Sequence, residues 1–203
     1  MMIFLRYESF RGYLRMFPVT SVIIAINLVV FFYDKWIGGG ALIERGAFFE
    51  NPVDDPYGLK EPWRYVTSIF LHGGYEHLFF NLFAILVFAP PLERMLKSGR
   101  YALFYLLCGI AANAFSAVIH TDYLASVGAS GAIYGVYGAY LYLATMKKTL
   151  DEASRKTVYT ILVFGIIYSV VAQGINLWAH VGGGIAGFLF AYIYDRSLSA
   201  RRN

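Results

Sequence analysis

Charge is scarce in this chain. Only 15% of its 203 residues are Asp, Glu, Lys or Arg, and 58% are hydrophobic. Soluble domains carry about 25% charged residues. So small a polar supply cannot cover a soluble bundle of buried hairpins, and that class is set aside. Cysteine is scarcer still. Cys108 stands alone, which excludes an intrachain disulfide, and its place in an apolar run marks it as core filling. Repeats and low-complexity stretches are absent. No small-residue cleavage site follows the first apolar run, so that run reads as an anchor and not a removed signal.

What the chain has instead is long apolar runs. Tyr101–Met146 holds one formal charge, Asp122, and Thr157–Tyr194 holds none. Each is too long for one membrane crossing of ~17–25 residues and suits two. The pattern predicts an all-α polytopic membrane protein, a bundle of six transmembrane helices. The expected spans are Met16–Tyr33, Gly74–Leu92, Tyr101–Ile119, Ser130–Met146, Thr157–Gln173 and Leu177–Tyr194. Pro18 suits a helix start, where its missing N–H costs nothing.

Six spans put both termini on one side. Thirteen of the seventeen Lys and Arg residues fall there; Lys35, Arg45, Lys60 and Arg64 fall opposite. Positive residues favour the cytoplasm, so both termini are expected to be cytoplasmic. The net charge of +4 then reflects topology and attraction to anionic lipid, not a nucleic-acid surface. Residues 1–17 read as a short cytoplasmic lead-in, 18–195 as one membrane domain and 196–203 as a basic cytoplasmic tail. The connection 34–73 is long and rich in Trp and Tyr. It is expected to be a structured interfacial loop between the first two spans.

Two polar residues stand out against this background. Ser130 lies in Gly128-Ala129-Ser130-Gly131 and His180 follows Ala179. Polar and ionisable residues in membrane segments are costly and usually functional. A serine becomes a nucleophile beside a base, most often histidine. Small residues recur every four positions at Gly131, Gly135 and Ala139, and at Ala179, Gly183, Gly187 and Ala191. Such stripes let helix backbones approach, and packing one on the other would bring Ser130 and His180 together at one depth. No acid completes a triad: Asp195 lies about 22 Å along the helix from His180, and Asp122 falls in a loop. Tyr134, one turn below Ser130, is better placed to position the imidazole.

His72, His77 and Asn81 crowd near the start of the second span. His77 and Asn81 share a helix face and could donate to an oxyanion beside the Ser130 N–H. A metal site from His72, Glu76, His77 and His180 lacks the usual zinc spacings. His120 ends the third span and reads as interfacial.

Together these residues resemble the rhomboid family of intramembrane serine proteases. The likeness covers roughly Glu61–Asp195. It rests on Trp63-Arg64, on His72, His77 and Asn81, and on Leu92-Glu93 with Gly99. It rests equally on Gly128-Ala129-Ser130-Gly131 with Tyr134, and on Ala179-His180 with Gly183 and Gly187. Pro90-Pro91 departs from the family, where glycine is common. The resemblance implies the minimal six-span form and cleavage of single-span membrane proteins in or beside their transmembrane helices. Ser130 would be the nucleophile and His180 the general base and acid. His77, Asn81 and the Ser130 N–H would form the oxyanion hole, with His72, Tyr134, Gly128 and Gly131 in support. Trp63 and Arg64 would stabilise the interfacial loop. The resemblance implies no metal or organic cofactor and no nucleic-acid partner. A prokaryotic inner membrane is the expected location, with the active site toward the outer face. The competing readings are a proteolytically inactive rhomboid-like protein that binds membrane helices, and a small transporter. The latter would carry polar residues through the whole membrane depth; here they crowd at one level.

Overall fold

The computed structural model describes residues 3–119 and 123–200. Among the described residues, nine helices and two short strands follow in order: α1 (Phe10–Met16), α2 (Pro18–Tyr33), α3 (Ala41–Gly46), β1 (Phe48–Glu50), α4 (Arg64–Thr67), α5 (Tyr75–Leu96), α6 (Ser98–Ile119), β2 (Leu124–Ser126), α7 (Ser130–Thr145), α8 (Glu152–Val171) and α9 (Leu177–Ala200). A π-helical turn, Asp34–Gly38, extends α2, and a 3-10 turn, Ser68–Phe70, follows α4.

Among the described residues, five helical stretches are long and apolar enough to cross a membrane: Pro18–Gly38, Tyr75–Leu96, Ser98–Ile119, Glu152–Val171 and Leu177–Ser197. The expected fourth span is α7, with 16 residues. It covers only ~24 Å against a hydrocarbon layer of ~30 Å. It is also enclosed, unlike a helix that faces lipid. Thirteen of its residues are buried, and α5, α6, α8 and α9 all pack on it.

The second span outlasts its expected end at Leu92, because α5 runs on to Leu96 through Pro90 and Pro91. Proline removes an N–H and frees the carbonyl four residues earlier. For Pro90 that carbonyl belongs to Leu86, and it accepts from the Tyr13 hydroxyl at 3.3 Å. The Tyr140 hydroxyl donates to Phe88 O at 2.7 Å. Tyr13 thus satisfies the carbonyl that Pro90 releases, and Tyr140 adds a second bond to the same turn. Just beyond, Glu93 is buried. Its carboxylate accepts from Val19 N at 3.0 Å, Thr20 N at 2.8 Å, Thr20 Oγ1 at 2.7 Å and Ser98 Oγ at 2.7 Å. It therefore caps the free N–H groups opening α2.

The lead-in is woven into this core. Phe4 is buried, edge-on to Phe88 and Tyr140, and Ile3 N donates to Ser154 Oγ at 3.1 Å. On the other side of the bundle the long connection is pinned to the α6–α7 loop. Antiparallel β1 and β2 pair Phe48 with Ser126, Phe49 with Ala125 and Glu50 with Leu124. This sheet is a departure from the all-helical expectation.

Candidate active site

The site begins where the chain enters α7. Gly128 N donates to Ser68 O at 2.9 Å, which fixes the approach. The Gly128 φ is +130°, a conformation open to glycine and strained for other residues. A Cβ there would lie 2.6 Å from His77 Nε2 and 3.6 Å from Ser130 Oγ. The missing side chain therefore makes room for the imidazole beside the serine. Ala129 is the helix N-cap and Ser130 the first helical residue, so Ser130 lies inside the helix start and does not cap it. Its N–H is among the first four that lack an intrahelical acceptor.

His180 occupies the first turn of α9, and glycine packing sets that helix against α7. A Cβ on Gly183 would collide with the Gly131 carbonyl, one on Gly187 with the Gly135 carbonyl, and one on Gly138 with the Gly184 carbonyl. A Cβ on Gly131 would meet Ala179 O at 3.8 Å. The immediate neighbours of Ser130 and His180 thus touch across this seam. Van der Waals contact between bare backbones is how small-residue stripes hold membrane helices together.

The buried His180 ring is held from two directions. Tyr134 stacks on it, with centroids 4.1 Å apart and planes inclined by 9°. Its Nδ1 lies 2.6 Å from Ser169 Oγ on α8. The Ser169 hydroxyl also reaches Gly165 O at 2.6 Å and Tyr134 Oη at 3.3 Å. Gly165 faces the Tyr134 hydroxyl, where a Cβ would collide. Ser169 has no counterpart among the sequence-derived residues. A lone serine in an apolar helix carries no motif, and its partners lie 11 and 35 residues away.

The α5 residues complete the cluster. His77 sits against Gly128 as described, and His72 meets it edge-on with centroids 5.1 Å apart. His72, which precedes α5, is buried. Burial, with His77 nearby, pushes its imidazole down to about 3. Asn81 is buried and donates one amide N–H to His77 O at 3.0 Å.

Trp63 and Arg64 lie apart from this group. Trp63 Nε1 donates to Arg45 O at 3.2 Å. The Arg64 guanidinium donates to Glu44 O and Ala47 O, each at 2.9 Å, and to the Glu61 carboxylate at 2.7 Å. These bonds clamp α3 to α4. Asn113 then ties α6 to the same segment through Tyr65 O at 3.0 Å and Ser68 Oγ at 2.9 Å. Asp195, at the far end of α9, pairs with Lys147 and accepts from the Tyr142 hydroxyl. His120 and Asp122 lie outside the described residues. Among the described residues, no group of three or more His, Cys, Asp or Glu side chains could hold a metal ion.

A sequence model of the rhomboid domain matches residues 59–197. The chain belongs to the rhomboid family. It is 34% identical over 191 residues to "Putative rhomboid protease YdcA" of Bacillus subtilis, covering 94% of this chain and 95% of that protein. It is also 34% identical over 173 residues to "Rhomboid protease GluP" of the same organism, covering 85% of this chain but 34% of the longer relative. "Rhomboid-type serine protease 2" of Emericella nidulans is 29% identical over 160 residues, covering 77% of this chain and 31% of that protein. These matches bear out the expectation of an intramembrane serine protease in a multi-pass helical protein.

Proposed function

We propose that this rhomboid cleaves single-span membrane proteins in or next to their transmembrane helices with a Ser130–His180 dyad. The observation that carries the reading is the α7–α9 seam, where Gly131 meets Ala179 O and Gly183 meets Gly131 O. Backbones that close leave the adjoining Ser130 and His180 little room to be apart.

In the first half-reaction Ser130 Oγ attacks the scissile carbonyl carbon, and His180 Nε2 takes the hydroxyl proton. The tetrahedral intermediate carries its negative charge on the former carbonyl oxygen. The Ser130 N–H, the His77 imidazole and the second N–H of Asn81 are the donors for it. The C–N bond then breaks, and the imidazolium returns its proton to the departing amine. That leaves an acyl ester on Ser130. Water attacks the ester, giving a proton to His180; the bond from the carbonyl carbon to Ser130 Oγ breaks, and the imidazolium returns that proton to Oγ, regenerating Ser130 and neutral His180. Tyr134 braces the imidazole, while Gly128 and Gly131 give the space. His72 supports His77, and Trp63 and Arg64 hold the loop over the bundle. No metal or organic cofactor enters any step.

In this reading α7 is the fourth of six crossings, shorter than the rest because neighbouring helices shield it from lipid. Both termini face the cytoplasm, and Ser130 opens toward the outer side, below the interfacial loop. The bilayer is a prokaryotic inner membrane. A fluorophosphonate probe tests the nucleophile directly. Wild type labels and Ser130→Ala does not; equal labelling of the two would remove Ser130 from the role.

A further inference from the structure

We propose that Ser169 is a positioning residue that fixes the tautomer of His180. The inference rests on the reading of His180 as the base. It follows from counting the protons around one hydroxyl.

A serine hydroxyl has one O–H to donate and two lone pairs with which to accept. Ser169 Oγ lies 2.6 Å from the Gly165 carbonyl oxygen. A carbonyl oxygen cannot donate, so a contact that short requires the serine proton between them. Ser169 has no second proton to give. His180 Nδ1, at 2.6 Å, must therefore be the donor of its bond, as must the Tyr134 hydroxyl at 3.3 Å. The opposite arrangement would set the lone pairs of Ser169 and Gly165 O against each other in a buried site, where an unmade hydrogen bond is most costly.

The consequence reaches the chemistry. A neutral imidazole carries one proton. With that proton on Nδ1, Nε2 has a free lone pair, the form a base must present. The second lone pair of Ser169 takes the Tyr134 hydroxyl, so the phenol that stacks on the ring is anchored to the same atom. Gly165 makes this convergence sterically feasible, since a Cβ there would strike the Tyr134 hydroxyl. Ser169 therefore does for His180 what a buried carboxylate does in a Ser-His-Asp triad, but as a neutral acceptor. A formal charge is avoided within the membrane.

The test uses the full chain in detergent with a single-span reporter. Wild type, Ser169→Ala, Ser169→Thr and the Ser130→Ala control are compared for kcat and KM. Histidine tautomers are read from 15N imidazole shifts. Loss of an orienting partner typically costs about 10- to 100-fold. Ser169→Ala should lose that much in kcat with KM nearly unchanged, and Ser169→Thr should recover most of it. The His180 signal, assigned by its absence in His180→Ala, should be the Nδ1–H form in wild type and lose that preference in Ser169→Ala. If Ser169→Ala does not fold, Ser169→Cys keeps the volume with a weak sulfur acceptor and is held to the same outcome. Unchanged kcat, or a fall in kcat with an unchanged tautomer, overturns the proposal while an inert Ser130→Ala leaves the dyad standing. Cleavage surviving in Ser130→Ala overturns both.

Discussion

Gly128 joins backbone conformation to chemistry at a single atom. Its φ of +130° and the 2.6 Å approach of His77 Nε2 to the Cβ position leave no room for alanine. Gly128→Ala should displace His77 and, on the oxyanion role proposed for it, lower cleavage about 100-fold. Steady-state kinetics on the folded variant check this. His72 is held neutral by burial, with a value of about 3 against an ordinary 6.5. Between those values the unfolded chain binds a proton that the folded one refuses. Stability therefore rises with pH across that window, is fully present above 6.5 and falls as acid is added. Melting temperatures in mild detergent from pH 4 to 7 should show this slope, and His72→Gln should make it shallower; parallel profiles would contradict the assignment. Glu93 takes four hydrogen bonds in a buried site. Glu93→Ala strands the N–H groups of Val19 and Thr20, and should cost about 2–4 kcal/mol in reversible unfolding. The sequence marks Glu93 only through the family likeness. Its partners on α2 lie more than seventy positions away, and no spacing rule reaches that far.

Among the elements, the α7–α9 pair decides whether a site forms. Its seam was legible, because glycine and alanine every fourth residue on two apolar segments have few other uses. A methyl at Gly183 would strike the Gly131 carbonyl, and one at Gly187 the Gly135 carbonyl. Either alanine substitution should separate the helices, destabilise the fold by about 3 kcal/mol and abolish cleavage. Thermal melts paired with activity check it, and a fully active Gly187→Ala would break the link between seam and site. The small sheet was not legible. Three-residue strands show no alternation that could be told from loop, and the pairing joins segments about 75 residues apart. The passage of α5 through Pro90-Pro91 was equally hidden, since the carbonyl that Pro90 frees is satisfied by the Tyr13 hydroxyl, 73 residues away.

At the scale of the whole molecule, the bundle reconciles a polar reaction with an apolar solvent. Long helices surround a short central one, and polar groups gather at one end of it. Scarce charge and long apolar runs made the class and six of the helices readable, and the expected fourth span, Ser130–Met146, differs from α7 by one residue. The enclosure of α7 was not legible, because composition reports apolarity and says nothing of which neighbours supply the cover. Ser169 escaped for a related reason: its role exists only once α8 is seated on α7 and α9. The direct test of the central claim is cleavage of a single-span reporter by the purified protein. Wild type is compared with Ser130→Ala and His180→Ala, each with and without chelator. The account predicts cleavage by wild type alone, unaffected by chelator. Cleavage that survives in Ser130→Ala, or that chelator abolishes in wild type, would contradict it.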